Sequence, residues 1–180
     1  MIKPDKTTID QAAGRIAPYL HKTPLHTCNA INHMFGGQIF FKCENFQKAG
    51  AFKSRGATNA VFQLSEAEIA NGVATHSSGN HAAALALAAK RRNARAHIVM
   101  PSNSNKLKIK AVQEYGGLIT FCEPTLQARE NTLREILLQT NATEIHPYND
   151  LRIIAGQATA CKEMIEEIND LQILMAPVGG

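Results

Sequence analysis

Short apolar runs alternate with segments of helical period along almost the whole chain, and nothing else in the sequence narrows the fold as much. Strand-like runs are predicted at Gln38–Cys43, Gly72–Ser77, Ala94–Met100, Leu118–Cys122 and Leu171–Val178. Between them, helical spacing is predicted over Thr7–Leu20, Lys53–Leu64, His81–Arg92, Asn105–Tyr115, Leu126–Thr140 and Ile153–Ile168. Pro101 and the Gly116-Gly117 pair punctuate the series where strands and helices must stop. Strands that take turns with helices read as βαβ units, hence an α/β chain with a parallel sheet covered on both faces. The last run enters Gly179-Gly180 as a buried strand with no following helix. The expectation is therefore a fold incomplete at its C-terminus, with an exposed sheet edge.

Composition removes several function classes. Of 180 residues, 44% are hydrophobic and 19% charged, an ordinary globular mixture that argues against a disordered chain. No apolar run approaches the ~18 residues that cross a bilayer, and the opening MIKPDKTTIDQ lacks the apolar core of a secretory leader. Cys28, Cys43, Cys122 and Cys161 form no C-x-x-C pair, so they read as thiols of a cytoplasmic protein. The net charge is only +4, and its excess lies in two runs, Lys90-Arg91-Arg92 and Lys106-x-Lys108-x-Lys110, read here as solvated helix ends. With no Trp and no basic face carrying aromatics, neither a nucleic-acid nor a membrane partner is expected.

Three segments could carry chemistry. Lys53 opens a helix after a glycine-containing loop, where the helix dipole disfavours an ammonium and eases its deprotonation. A neutral lysine amine is what Schiff-base chemistry requires, although a surface lysine at a helix start reads the same way. Ser77-Ser78-Gly79-Asn80-His81 sets hydroxyls, a flexible turn and free backbone N–H groups at a helix N-terminus. Such a turn holds anions, or is an ordinary N-cap. Pro177-Val178-Gly179-Gly180 is a strand entering a glycine loop, either a phosphate cradle or a plain turn. The histidines show no metal-ligand spacing, so no metal is expected, and no G-x-G-x-x-G, Walker or G-x-S-x-G motif occurs.

In this order the segments resemble the fold-type II pyridoxal-phosphate enzymes, specifically the serine/threonine dehydratase (ammonia-lyase) and serine racemase group. The matching text is Phe41-Lys-Cys-Glu-Asn-Phe-Gln-Lys-Ala-Gly-Ala-Phe-Lys-Ser-Arg-Gly56, Thr75-His-Ser-Ser-Gly-Asn-His81 and Ala176-Pro-Val-Gly-Gly180. Connecting segments such as His97-Ile-Val-Met-Pro101 and Ile145-His-Pro-Tyr148 look similar too. The resemblance implies the three-layer, tryptophan-synthase-β-like fold. Residues 1–67 and 148–180 would then belong to a partial large cofactor domain, and 68–147 to a small α/β domain.

It also implies pyridoxal 5′-phosphate as cofactor, with Lys53 in Schiff-base linkage to it. Asn80 would bond the cofactor's 3′-oxygen, Gly179 and Gly180 would open its phosphate cup, and Ser77, Ser78, Asn80 and His81 would receive the substrate carboxylate. The expected reaction is β-elimination of L-threonine or L-serine, or of a hydroxyaspartate, to a 2-oxo acid and ammonia, with Lys53 as the base at Cα. The alternatives are serine racemisation, for which Ser78 would supply a proton on the face opposite Lys53, and a non-catalytic fragment. A homodimer is expected for a full-length form. One departure from the family pattern is Ala158, where the family has glycine, which is expected to push a methyl into a close helix contact.

Overall fold

A computed structural model describes residues 3–177. Helix α1 (Lys6–Ile16) begins under a cap in which the Asp5 carboxylate accepts from the Thr8 N–H. Next come β1 (Leu25–Thr27), α2 (Asn29–Phe35) and β2 (Phe40–Lys42), and the two strands pair antiparallel. Helices α3 (Lys53–Gln63) and α4 (Glu66–Asn71) lead into β3 (Val73–His76). The series α5 (Asn80–Arg91), β4 (Ala96–Pro101), α6 (Lys106–Glu114), β5 (Leu118–Cys122), α7 (Leu126–Thr140) and β6 (Thr143–Glu144) then builds the main sheet. Helix α8 (Leu151–Glu167) closes the set.

The main sheet has the order β5-β4-β3-β6, parallel throughout. Its strands alternate cleanly. Val73, Ala96, Ile98 and Met100 point to a core shared with α3, α5 and α6, whereas Ala74 and Val99 point to Leu133, Ile136 and Ala142 on and just after α7. That alternation makes three layers, helices on each side of a sheet buried on both faces. Helix α5 is buried along nearly its whole length because its alanines let it sit between the sheet and α3.

Helix α3 also crosses α8 at very short range. A Cβ on Gly156 would lie 2.6 Å from Gly56 Cα, and one on Gly56 would lie 2.8 Å from the Ile153 carbonyl oxygen. The close contact expected at Ala158 is therefore made by Gly156, and Ala158 itself is only half-buried. The expected helix and strand positions agree with these elements to within a few residues, apart from one. Residues 171–177 form no strand and leave Ile173 72% and Met175 87% exposed. A strand exists only beside a partner that takes its backbone hydrogen bonds, and no strand among the described residues lies alongside this segment. Lys90, Lys106 and Lys110 are exposed as the solvated reading of the basic runs expects, but Arg92 is not. Arg92 donates to the Val61 and Leu64 carbonyls at the end of α3 and pairs with Glu66.

Candidate active site

The loop before Lys53 is held by a buried glutamine. Gln47 Oε1 accepts from the His21 and Lys48 N–H groups at 3.0 and 2.9 Å, and its Nε2 donates to the His21 carbonyl at 2.7 Å. The chain then turns through Ala49 and Gly50 at φ 55° and 70° before entering α3. Lys53 is the first residue of that helix, which has no side-chain cap. Its half-buried amine donates to the Pro147 carbonyl at 2.8 Å, and burial lowers its pKa below the ordinary lysine value.

Two residues further along, Arg55 is 1% exposed and fixes α3 in place. Its Nε and Nη2 donate to both Glu44 oxygens at 2.8 Å, while Nη1 and Nη2 donate to Glu163 at 2.6 and 2.9 Å. Lys42 joins the same Glu163 at 2.6 Å. Burial alone would lower the pKa of Arg55, but its hydrogen bonds to Glu44 and Glu163 raise it instead.

The second half of the site is the β3–α5 turn. Gly79 is the N-cap of α5 and offers no side chain, so among the described residues no side-chain cap satisfies the first N–H groups of α5. Ser77 is half-buried with its Oγ accepting from the Gly79 N–H at 3.3 Å, and Ser78 is exposed. Asn80 is half-buried and its Oδ1 accepts from Lys108 Nζ. His81 differs from expectation in one respect. Its ring is 2% exposed, turned into the core, with Nε2 donating to the Ile145 carbonyl at 3.1 Å. Burial pushes its pKa down to about 4, so the ring is neutral at pH 7. Its Nδ1 is buried with no partner among the described residues, and its backbone N–H lies in the first turn of α5.

Lys53 and His81 thus meet one segment, Ile145–Pro147, from the N-termini of two packed helices. That segment went without a role in the sequence reading. So did His76, whose pKa is lowered by burial and then by Arg129 and His146, and His146, whose Nδ1 accepts from the Tyr148 and Asn149 N–H groups. Lys108 belongs to a basic run whose composition alone points to a solvated helix end. Its contact with Asn80 spans 28 positions, which no local spacing reveals. Gly179 and Gly180 lie outside the described residues. Among the described residues no His, Cys, Asp and Glu cluster could hold a metal ion, and no helix is long and apolar enough to cross a membrane.

A desolvated lysine amine beside an uncapped helix N-terminus suits a carbonyl cofactor together with an anionic ligand. The comparisons agree. The family described as pyridoxal-phosphate dependent enzyme matches residues 16–180. The chain belongs to this family. The β-hydroxyaspartate dehydratase of Paracoccus denitrificans is 50% identical over 169 residues, which are 94% of this chain and 54% of that protein. The serine racemase of Dictyostelium discoideum is 45% identical over 172 residues, 96% of this chain and 53% of that one. Among solved structures, maize serine racemase superposes with a TM-score of 0.92 at 46% identity, covering 94% of this chain and 51% of that one. The chain thus spans about half the length of the relatives it matches.

The fold is that of the fold-type II pyridoxal-phosphate enzymes, and pyridoxal phosphate is the family's cofactor. The residues present suit it. Lys53 would present an amine to its aldehyde, and the Asn80 amide keeps an N–H₂ with no acceptor among the described residues.

Proposed function

We propose that this chain carries the reactive lysine and the carboxylate-binding turn of a pyridoxal-phosphate enzyme that racemises serine. The observation that carries the reading is the pairing of Lys53 with the uncapped α5 turn across Ile145–Pro147. When bound, pyridoxal phosphate withdraws electrons from an attached amino acid and makes its Cα proton removable. Lys53, whose amine donates to the Pro147 carbonyl, would hold the cofactor's aldehyde end and would take or return the proton at Cα on one face. Ser78, exposed at the mouth of the turn, serves the opposite face with its hydroxyl. Ser77 and the backbone N–H groups of Asn80 and His81 hold the carboxylate, aided by the helix dipole, while the Asn80 side-chain amide faces the cofactor's 3′-oxygen.

Serine racemases among the relatives support this reading over the threonine or serine dehydration anticipated from sequence. A second reading, β-elimination from a hydroxyaspartate, is supported by the 50% identical dehydratase. The division into 1–67 with 148–180 and 68–147, Gly179 and Gly180 in the phosphate cup, a homodimer and a cytoplasmic location belong to the same proposal.

The test supplies pyridoxal phosphate with D-serine, L-serine or L-threo-3-hydroxyaspartate, and measures enantiomer exchange against 2-oxo acid formed. Enantiomer exchange that Lys53→Ala abolishes, along with the borohydride-sensitive visible band, is the expected result. A band that survives Lys53→Ala removes Lys53 from its role, and 2-oxo acid from hydroxyaspartate without serine exchange selects the second reading.

A further inference from the structure

Asn80 has two chemically opposite ends, and something must decide which one faces the ligand. An ionised ring oxygen only accepts hydrogen bonds, so Asn80 helps if its Nδ2 points there and repels if its Oδ1 does. Lys108 lies on the first turn of α6, on a different element from the turn it serves. Its neighbour Lys110 pairs with Glu114 one turn along the helix, whereas Lys108 reaches across to Asn80 Oδ1. A lysine ammonium has three donors and no acceptor, so the atom it touches must be the amide oxygen. That contact turns the accepting end toward Lys108 and leaves the donating end free.

We infer that Lys108 is a positioning residue that locks the Asn80 amide with its N–H₂ toward the cofactor's ring oxygen. The inference rests on the pyridoxal-phosphate reading above and deepens it. The ammonium polarises the amide and strengthens the bond that Nδ2 donates. It also adds a positive charge near a site where α5 already directs its N-terminus. A positive charge there disfavours the protonated form of the bound cofactor.

The test uses the full chain, Lys108→Met, Asn80→Ala and the double variant. Without cofactor, the side-chain amide resonances of Asn80, assigned by their loss in Asn80→Ala, should move in Lys108→Met while core backbone resonances stay. With pyridoxal phosphate, Lys108→Met should weaken binding about tenfold, the scale of one charge-assisted hydrogen bond. It should also raise the pH at which the visible band titrates. In the Asn80→Ala background the same substitution should change affinity by less than about twofold, because the lysine acts through the amide. Unmoved amide resonances, or an equal loss of affinity in both backgrounds, overturn the inference. If the parent chain itself shows no cofactor band, the failure belongs to the cofactor reading, and the amide resonances alone decide the role of Lys108.

Discussion

Replacing Arg55 with methionine tests the buried ion cluster that holds α3, and with it Lys53, in place. Arg55 is 1% exposed and bridges Glu44 from the loop after β2 to Glu163 on α8. The substitution does not strand the two carboxylates equally. Glu163 keeps Lys42 at 2.6 Å, while among the described residues Glu44 keeps only the Thr23 hydroxyl at 2.6 Å. Breaking one side of a buried ion pair costs about 3–5 kcal/mol, because an uncompensated charge is left behind. Against a typical total of about 5–15 kcal/mol, that is a large share of the stability. Urea unfolding followed by circular dichroism should show the midpoint fall with an unchanged slope. Adding Glu44→Gln should recover part of the loss, since the stranded charge is then gone. A loss below about 1 kcal/mol for Arg55→Met, or a further fall in the double variant, would refute the reasoning.

Acid should weaken the fold through His81, whose pKa is about 4 folded against an ordinary 6.5. The unfolded chain binds the extra proton between those values, so stability falls as pH drops through that window, by about 3 kcal/mol from this residue. His76 and His97, also lowered by burial, act in the same direction, so the check is a flatter pH dependence of the urea midpoint in His81→Gln than in the parent. Gly156→Ala should lower the melting temperature, at a cost of about 1–3 kcal/mol, because its Cβ would meet backbone atoms of Gly56 and Arg55 at 2.6 and 2.7 Å. Gly14→Ala, in the open on α1, should raise the melting temperature by a smaller amount. Ser78→Ala should suppress enantiomer exchange at least about a hundredfold more than elimination from an L-substrate, measured side by side, because only exchange needs a proton donor on both faces. Equal losses would make Ser78 a binding residue.

Much of the architecture was legible because it is written in short-range pattern. The strand β5 and the helix α7 lie at the residues their spacing predicts, Leu118–Cys122 and Leu126–Thr140. The two- and three-residue strands β6 and β1 went unread, since a period cannot be recognised in so few residues. Helix α4 did carry a readable signal, the Ser65–Glu68 capping box, which the structure forms in both directions. At the site, Lys53 and the Ser77–His81 turn were visible as residues at helix starts, but the direction of each side chain was not.

The sequence by itself determined the alternation of strand and helix, and hence a parallel sheet with its loops at helix N-termini. It also determined the order of the motifs that mark the family. Those features depend on residues within one or two turns of each other, where backbone propensity and hydrophobic period act directly. Only the tertiary structure decided that His81 turns inward to Ile145, that Lys108 reaches Asn80, and that Arg55 joins Glu163 across 108 positions. It alone left residues 171–177 without a strand partner among the described residues. Each of these outcomes is set by which surfaces pack together, and a buried polar group takes the partner that packing brings within reach.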